Sequence, residues 1–378
     1  MPLLNIEMKI LVTGAKGFIG KNLAVELQNQ KAGELLEFDM ANSLSELQLF
    51  TKECDLVYHL AGINRPQDIK EFEEGNFDFT NTLISYLKKS GNRAPIIFSS
   101  SVQAKLDNPY GKSKFAAENI LIQYSKETGI PVIIYRLPNV FGKWCRPSYN
   151  SVVATFCYNI SHDLPIQIND KGTMLRQIYI DDVVNEFISK SKDIENNNGP
   201  ELIEELNPVY SINLGDLASL ITSFKNSRTG LEVPDFSDHF TRKLYATYLS
   251  YLPENEFSYL LKMNIDLRGS FSEFIRTDNR GQISINISKP GVTKGNHWHH
   301  TKNEKFLVVS GKGVIRFRKV ETAEVIEYHV AGEKLEVVDI PPGYTHNIEN
   351  LGPGDMVTIM WASEAFDPKR PDTWFENV

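Results

Sequence analysis

At 378 residues, 23% charged and 41% hydrophobic, the chain can bury two cores of ordinary size and is too apolar for long disorder. Its net charge of −8 argues against a duplex-DNA binder, which needs clustered Lys and Arg to displace counterions. One or two local cations would still hold an anionic substrate.

The first residues, Met1 to Glu7, lack the charged and apolar regions of a secretory leader and are expected to be a dispensable extension. No run of some 18 apolar residues could span a bilayer, so a soluble, cytoplasmic protein is expected. The three cysteines, Cys54, Cys145 and Cys157, have no metal-type spacing and fit no disulfide framework; reduced, buried thiols are expected.

From Lys9 to about Lys190, short β-branched runs alternate with amphipathic helical stretches. Ile10–Val12, Leu35–Leu36, Leu56–Tyr58, Ile96–Phe98 and Val132–Tyr135 are apolar throughout, as parallel strands covered on both faces should be. Glu195 to Pro200 reads as a polar surface loop, and a helix is expected from Leu214 to Phe224. After about Pro253 the period becomes two: Ile283/Ile285/Ile287, Ile315/Phe317 and Val357/Ile359/Trp361 alternate with polar or small residues. Gly311-Lys312-Gly313 and Pro341-Pro342-Gly343 supply turns. The expected fold is an α/β Rossmann-like doubly wound parallel sheet, residues 1–250, followed by an all-β barrel or sandwich, residues 251–378.

Thr13-Gly14-Ala15-Lys16-Gly17-Phe18-Ile19-Gly20 falls between a strand and a helix, where glycines let a pyrophosphate approach the helix amino terminus. Asp39, ending the next strand, is placed to hold an adenosine ribose hydroxyl. Tyr110 and Lys114, in Tyr110-Gly111-Lys112-Ser113-Lys114, share a face if these residues open a helix. An ammonium beside the phenol is expected to lower its pKa from about 10, which suits a proton donor to a developing alkoxide. Ser101, at a strand end, can hydrogen-bond the same oxygen. A surface Tyr and a solvated Lys are the alternative.

In the second half, His297 and His299 point to one face of a strand, and Glu304 and His346 can close on the same ion from neighbouring strands. Three His and one carboxylate suit Zn, Fe, Mn or Ni, in either a structural or a catalytic role.

These motifs carry resemblances. The glycine spacing, His59-Leu60-Ala61-Gly62, Arg136 to Gly142 and Tyr179 to Val183 resemble extended short-chain dehydrogenases/reductases. That likeness implies that Leu60, Ala61 and Gly62 line a nicotinamide cofactor. Val102-Gln103-Ala104 after Ser101 lacks the Asp-Glu pair of the 4,6-dehydratases, so dehydration is not expected. Gly291-x5-His297-x-His299-x4-Glu304-x6-Gly311 and Pro341-x-Gly343-x2-His346-x3-Asn350 resemble the two cupin motifs. Asp266 to Glu273 resembles the opening strand of dTDP-4-keto-6-deoxyhexose epimerases, which makes Arg268 and Lys294 candidate contacts to a nucleotide diphosphate.

Along nearly its whole length the chain resembles the CapF family of capsular polysaccharide synthesis enzymes, on runs such as Asn108 to Gly111, Phe141 to Cys145 and Gly295 to Lys305. That family implies a homodimer, a zinc-binding cupin barrel that epimerises a UDP-linked 4-keto-6-deoxy sugar, and an NADPH-dependent reductase. Asp39 is followed by Met40 rather than by a base that would welcome a 2′-phosphate, which leaves NADH open.

Overall fold

The computed structural model describes residues 8–194, 201–277, 280–365, 367, 369 and 371–378. The expectations for residues 1–7 and for the loop 195–200 lie outside the described residues. By its internal contacts the chain forms two compact units: Met1–Thr222 with Lys243–Leu252, and Ser223–Arg242 with Pro253–Val378.

In the first unit, β1 (Lys9–Thr13), β2 (Glu34–Phe38), β3 (Leu56–His59), β4 (Ile96–Ser101), β5 (Val132–Leu137) and β8 (Glu201–Glu204) form one parallel sheet ordered β2-β1-β3-β4-β5-β8. Alternate residues of β1 enter different cores. Ile10 and Val12 pack with Leu23 and Leu27 of α1 (Phe18–Asn29) and with Val183 and Phe187 of α7 (Ile180–Asp193). Leu11 faces the other way, toward Leu47 of α2 (Leu44–Glu53), Leu83 and Leu87 of α4 (Phe79–Ser90) and Leu121 of α5 (Pro109–Thr128). The sheet is therefore doubly wound, which is why its strands are apolar on both faces. Strand order reverses between β1 and β3, and a ligand crevice is expected at that switch point.

Sequence periodicity missed a smaller sheet of β6 (Asn139–Phe141), β7 (Met174–Tyr179) and β9 (Tyr210–Asn213), and missed α9 (His239–Leu249). The helix expected from Leu214 to Phe224 runs on to Gly230 as α8. A short turn, α3 (Lys70–Phe72), continues through π-helical Glu73–Asp78 into α4, and α6 spans Val152–Ser161. Part of α9 belongs to the first unit because Lys243 donates to both carboxylate oxygens of Asp182, at 2.8 and 2.6 Å, and to the Tyr210 hydroxyl. Among the described residues no helix is long and apolar enough to cross a membrane.

The second unit is antiparallel. One sheet orders β10 (Asn264–Asp266), β11 (Gly269–Thr277), β12 (Gly281–Ser288), β19 (Met356–Ala362), β14 (Glu304–Ser310) and β17 (Val337–Ile340). The other orders β16 (Val325–Ala331), β15 (Lys312–Lys319), β18 (Tyr344–Asn350), β13 (Thr293–Trp298) and β20 (Trp374–Phe375). Phe306, Val308, Ile315, Phe317, Val338, Ile348 and Met356 from both sheets share one core. On β12 the polar residues Gln282, Ser284, Asn286 and Ser288 are buried, whereas Ile283, Ile285 and Ile287 are only partly so. The period-2 pattern is present, but its polar set takes the inner face. The segment from 223 to 242 joins this unit through backbone hydrogen bonds between Leu231, Val233 and Arg276 of β11.

Candidate active site and candidate metal centre

The glycine loop lies at the switch point. Gly14 adopts φ +71°, and a Cβ there would meet Ala61 Cα at 2.8 Å; a Cβ at Gly20 would sit 2.1 Å from the Gly14 carbonyl. Loop, helix start and the Leu60-Ala61-Gly62 turn thus close on one another only without side chains. Gly17 caps α1 with an extended backbone and, like Lys16, is exposed, while Phe18 and Ile19 pack against the core below. Thr13 is buried; its hydroxyl accepts from the Leu60 and Ala61 amides. Asp39 follows β2, and its carboxylate accepts the Lys16 amide at 2.8 Å. A helix amino terminus beside backbone-only walls, with a carboxylate at the next strand end, fits a dinucleotide.

Asn108 caps α5 by accepting the Gly111 amide at 2.8 Å, and Pro109 opens the helix. This start fixes Tyr110 and Lys114 one turn apart, near the end of β4 and Ser101. Their electrostatics differ from expectation. Burial raises the Tyr110 phenol above its ordinary value, and a Ser101 hydrogen bond only partly offsets it. The Lys114 ammonium, 4% exposed, donates to the Ser99 carbonyl at 2.9 Å and lies over the Phe98 ring. Burial pushes its pKa down to about 8. The lowered phenol pKa expected from the pentapeptide is thus corrected: desolvation of the phenol outweighs the rest at Tyr110.

Two buried polar groups near these residues were not among the candidate site residues of the sequence. Asn76, on the π-helical turn, bridges Ile63 to Ser113: its amide nitrogen donates to the Ile63 carbonyl and the Ser113 hydroxyl, both at 2.9 Å. His59 joins Thr13 to Thr80, with 2.8 Å contacts from both ring nitrogens. Because Thr13 already accepts two amides, its hydroxyl proton goes to Nδ1, and Nε2–H goes to Thr80, whose own proton goes to the Asn76 carbonyl. The ring is therefore neutral. Burial, with Lys114 adding to it, pushes the pKa of His59 down to about 3.

In the unfolded chain a histidine titrates near 6.5, so between about 6.5 and 3 only the unfolded state takes the proton. Stability is expected to fall as pH drops through that window. Urea midpoints at pH 7, 5.5 and 4.5 should decline more steeply for the native protein than for His59→Asn, which has nothing to charge.

In the second unit, one donor atom from each of His297, His299, Glu304 and His346 lies within 4.8 Å of all the others. Glu304 Oε2 is 3.5 Å from His299 Nε2 and 3.4 Å from His346 Nε2. Ligands about 2.1 Å from a tetrahedral ion stand about 3.4 Å apart. These three atoms are buried without a hydrogen-bond partner, a costly state that an ion would relieve. Burial, then the His346 charge, lowers His297 to about 4. Burial opposes the ionisation of Glu304, yet His299 and His346 hold its carboxyl far below the ordinary range. Three imidazoles and a carboxylate are the donor set a divalent cation takes.

The two phosphate candidates part company. Lys294 turns inward, donating to Asn286 Oδ1 and the Ile287 carbonyl, both at 2.8 Å. Arg268 is largely exposed and doubly bonded to Asp266 two residues away.

Comparison with known proteins matches both halves. Residues 10–203 fit the NAD dependent epimerase/dehydratase family, and residues 264–374 the polysaccharide biosynthesis C-terminal domain. UDP-2-acetamido-2,6-beta-L-arabino-hexul-4-ose reductase of Pseudomonas aeruginosa is 45% identical over 371 residues, 98% of this chain and 99% of its own. The crystal structure of the capsular polysaccharide assembling protein CapF from Staphylococcus aureus is similar at 50% identity and a TM-score of 0.92, over 98% of this chain and 100% of that one. UDP-glucuronic acid 4-epimerase from Bacillus cereus, in complex with UDP-glucuronic acid and NAD, shares the fold alone, at 21% identity and a TM-score of 0.54 over 65% of this chain and 98% of that one. With full-length relatives near half identity, the chain belongs to the CapF family, in which an NAD dependent epimerase/dehydratase half is joined to a polysaccharide biosynthesis C-terminal domain.

Proposed function

We propose that this chain performs two consecutive reactions on a UDP-linked 4-keto-6-deoxy sugar in the cytoplasm. Its second domain, 251–378, acts as a cupin and epimerises C3 of UDP-2-acetamido-2,6-dideoxy-β-L-arabino-4-hexulose. Its first domain, 1–250, acts as a short-chain reductase and converts the C4 ketone to UDP-2-acetamido-2,6-dideoxy-β-L-talose, a precursor of UDP-N-acetyl-L-fucosamine for surface polysaccharide. The observation that carries this reading is the presence of the Ser101, Tyr110 and Lys114 triad and the four-donor cluster in one chain.

A ketone at C4 acidifies the proton on C3, so removal and return of that proton can invert the centre. A divalent ion, zinc by family likeness, would be held by His297, His299, Glu304 and His346 and would supply Lewis-acid polarisation of the carbonyl. Bound imidazoles cannot also serve as free bases, so the proton at C3 falls to His300, Lys302 or Tyr344. Arg268 and Lys294 are the proposed contacts to the diphosphate. Arg268 would have to exchange Asp266 for it.

In the reductase, NADPH, with NADH as the alternative, would supply the hydride to C4. Thr13 to Gly20, Asp39 and Leu60 to Gly62 would cradle that cofactor. Ser101 hydrogen-bonds O4 while Tyr110 gives O4 its phenolic proton, and the buried Lys114 charge favours the phenolate left behind. Reduction removes the acidity at C3 and fixes the inverted centre, so the second reaction draws the first forward.

Product NMR in heavy water tests both steps. Without NADPH, deuterium should enter C3 of the keto sugar; with NADPH, a C4 alcohol carrying one deuterium at C3 should form. Absence of exchange would reduce the chain to a single-activity reductase with a metal-binding, dimerising cupin. One feature favours dimerisation in either case. The partly exposed row Ile283, Ile285, Ile287, Val357 and Ile359 lies on the outer face of the six-stranded sheet and suits a second copy of the chain.

A further inference from the structure

The four ion-binding donors sit on three segments, β13 with the turn after it, β14 and β18. The carboxy-terminal residues cross all but β14. One carboxylate, Asp372, takes three successive backbone N–H groups of the turn between β13 and β14: His300 at 2.9 Å, Thr301 at 2.8 Å and Lys302 at 2.9 Å. It also accepts the Thr301 hydroxyl at 3.1 Å. That turn joins His299 to Glu304, so its conformation sets the distance between two of the four donors.

The Asp372 carbonyl accepts from His299 Nδ1. A carbonyl cannot donate, so Nδ1 carries a proton, and Nε2 is the ring nitrogen that faces Glu304. Beyond it, β20 pairs with β13 in the register His297↔Phe375 and Trp298↔Trp374. The Glu376 amide donates to the Asn296 carbonyl at 3.0 Å, and Thr345, beside His346, donates to the Glu376 carbonyl. Arg318 anchors the end, at 2.7 Å from Glu376 Oε1 and 2.6 Å from the Asn377 carbonyl.

We propose that residues 372–377 are a built-in strap of the ion site, and that Asp372 is a positioning residue. Its carbonyl selects the His299 tautomer, and its carboxylate holds the turn that sets His299 against Glu304. The strap touches the ligand-bearing backbone and places no donor of its own in the cage. This inference rests on the reading of the four residues as an ion cage.

The test uses the full-length protein loaded with Zn²⁺ and, separately, with Co²⁺. Zinc affinity by chelator competition and the visible spectrum of the cobalt form are compared for the native chain, Asp372→Asn and Asp372→Ala. Both substitutions keep the Asp372 carbonyl on His299 and remove the carboxylate that holds the turn; loss of a group that orients ligands from outside the cage weakens metal binding about 10- to 100-fold. Asp372→Ala should show that loss and an altered cobalt spectrum. Asp372→Asn, which keeps one acceptor oxygen, should fall between. Glu376→Ala frees only the far end of the strap; it should weaken binding several-fold and serves if Asp372→Ala does not fold. If the native chain binds zinc and these variants hold it within twofold, the strap proposal is wrong and the cage stands. If the native chain takes up neither metal, the cage reading itself fails, and the strap with it.

Discussion

Tyr110→Phe is expected to abolish NADPH oxidation while deuterium from solvent still enters C3 of the keto sugar. The substitution removes one hydroxyl and keeps the ring, so the contact with Phe72, 5.7 Å between centroids, survives. What is lost is the proposed proton donor to O4, a contribution of about 10²- to 10⁴-fold. Ser101 cannot replace it, because an aliphatic hydroxyl gives up its proton far less readily than a phenol. Burial already holds the Tyr110 proton firmly, so in the proposed reaction the phenol is an acid drawn out only by the developing alkoxide. NADPH consumption at 340 nm and NMR of the recovered sugar nucleotide read the two sites independently. Loss of exchange along with reduction would mean that one site does both, and the two-site proposal would be wrong.

Glu118→Gln should cost about 3–5 kcal/mol of stability, the usual price of breaking a buried ion pair by removing one partner. Glu118 is fully buried in α5 and takes both arms of Arg136, with Nε at 2.9 Å and a terminal nitrogen at 2.5 Å. The Ser100 hydroxyl also donates to it at 2.5 Å. The neutral amide leaves the Arg136 charge without its counterion, with little water to replace it. Urea unfolding should show a lower midpoint with an unchanged slope. Replacing both partners with apolar residues, Glu118→Leu with Arg136→Met, should recover much of the loss, because no charge is then left alone. Ser100 stands between Ser99, the acceptor for Lys114, and Ser101, so Glu118→Gln should lower reductase activity as well.

Much of the first half was legible because β1, β3, β4 and β5 are apolar on both faces and the glycine loop sits at a strand-to-helix junction. β8 was missed because its apolar Leu202 and Ile203 are flanked by Glu201 and Glu204 and too few to register as a run. The strands of β6, β7 and β9 carry Asn, Arg and Gln among their apolar residues, so no period shows. In the second half the alternation of β12 was read correctly as strand, but a single sequence does not say which set faces inward; on β12 it is the polar one. The clustering of His297, His299, Glu304 and His346 was readable from their types and spacing. Asp372 was not, because its role depends on a return of the chain 70 residues after the turn it holds. The acidity of Tyr110 differs from expectation for a related reason: helical spacing places Lys114 one turn away but says nothing of how deeply the fold buries the phenol.

The way the backbone leaves its first unit at Thr222 and returns at Lys243 bears on how the protein can be dissected. A fragment ending at residue 222 would leave Asp182 without the Lys243 ammonium, and so would strand a carboxylate pair-partner at its surface. A fragment ending at residue 252 would keep that contact, yet it would carry twenty residues torn from Arg276 and seeking another edge to pair with. Recombinant halves should therefore be made with the excursion either deleted and bridged by a short linker, or supplied to the carboxy-terminal piece as its own leading segment.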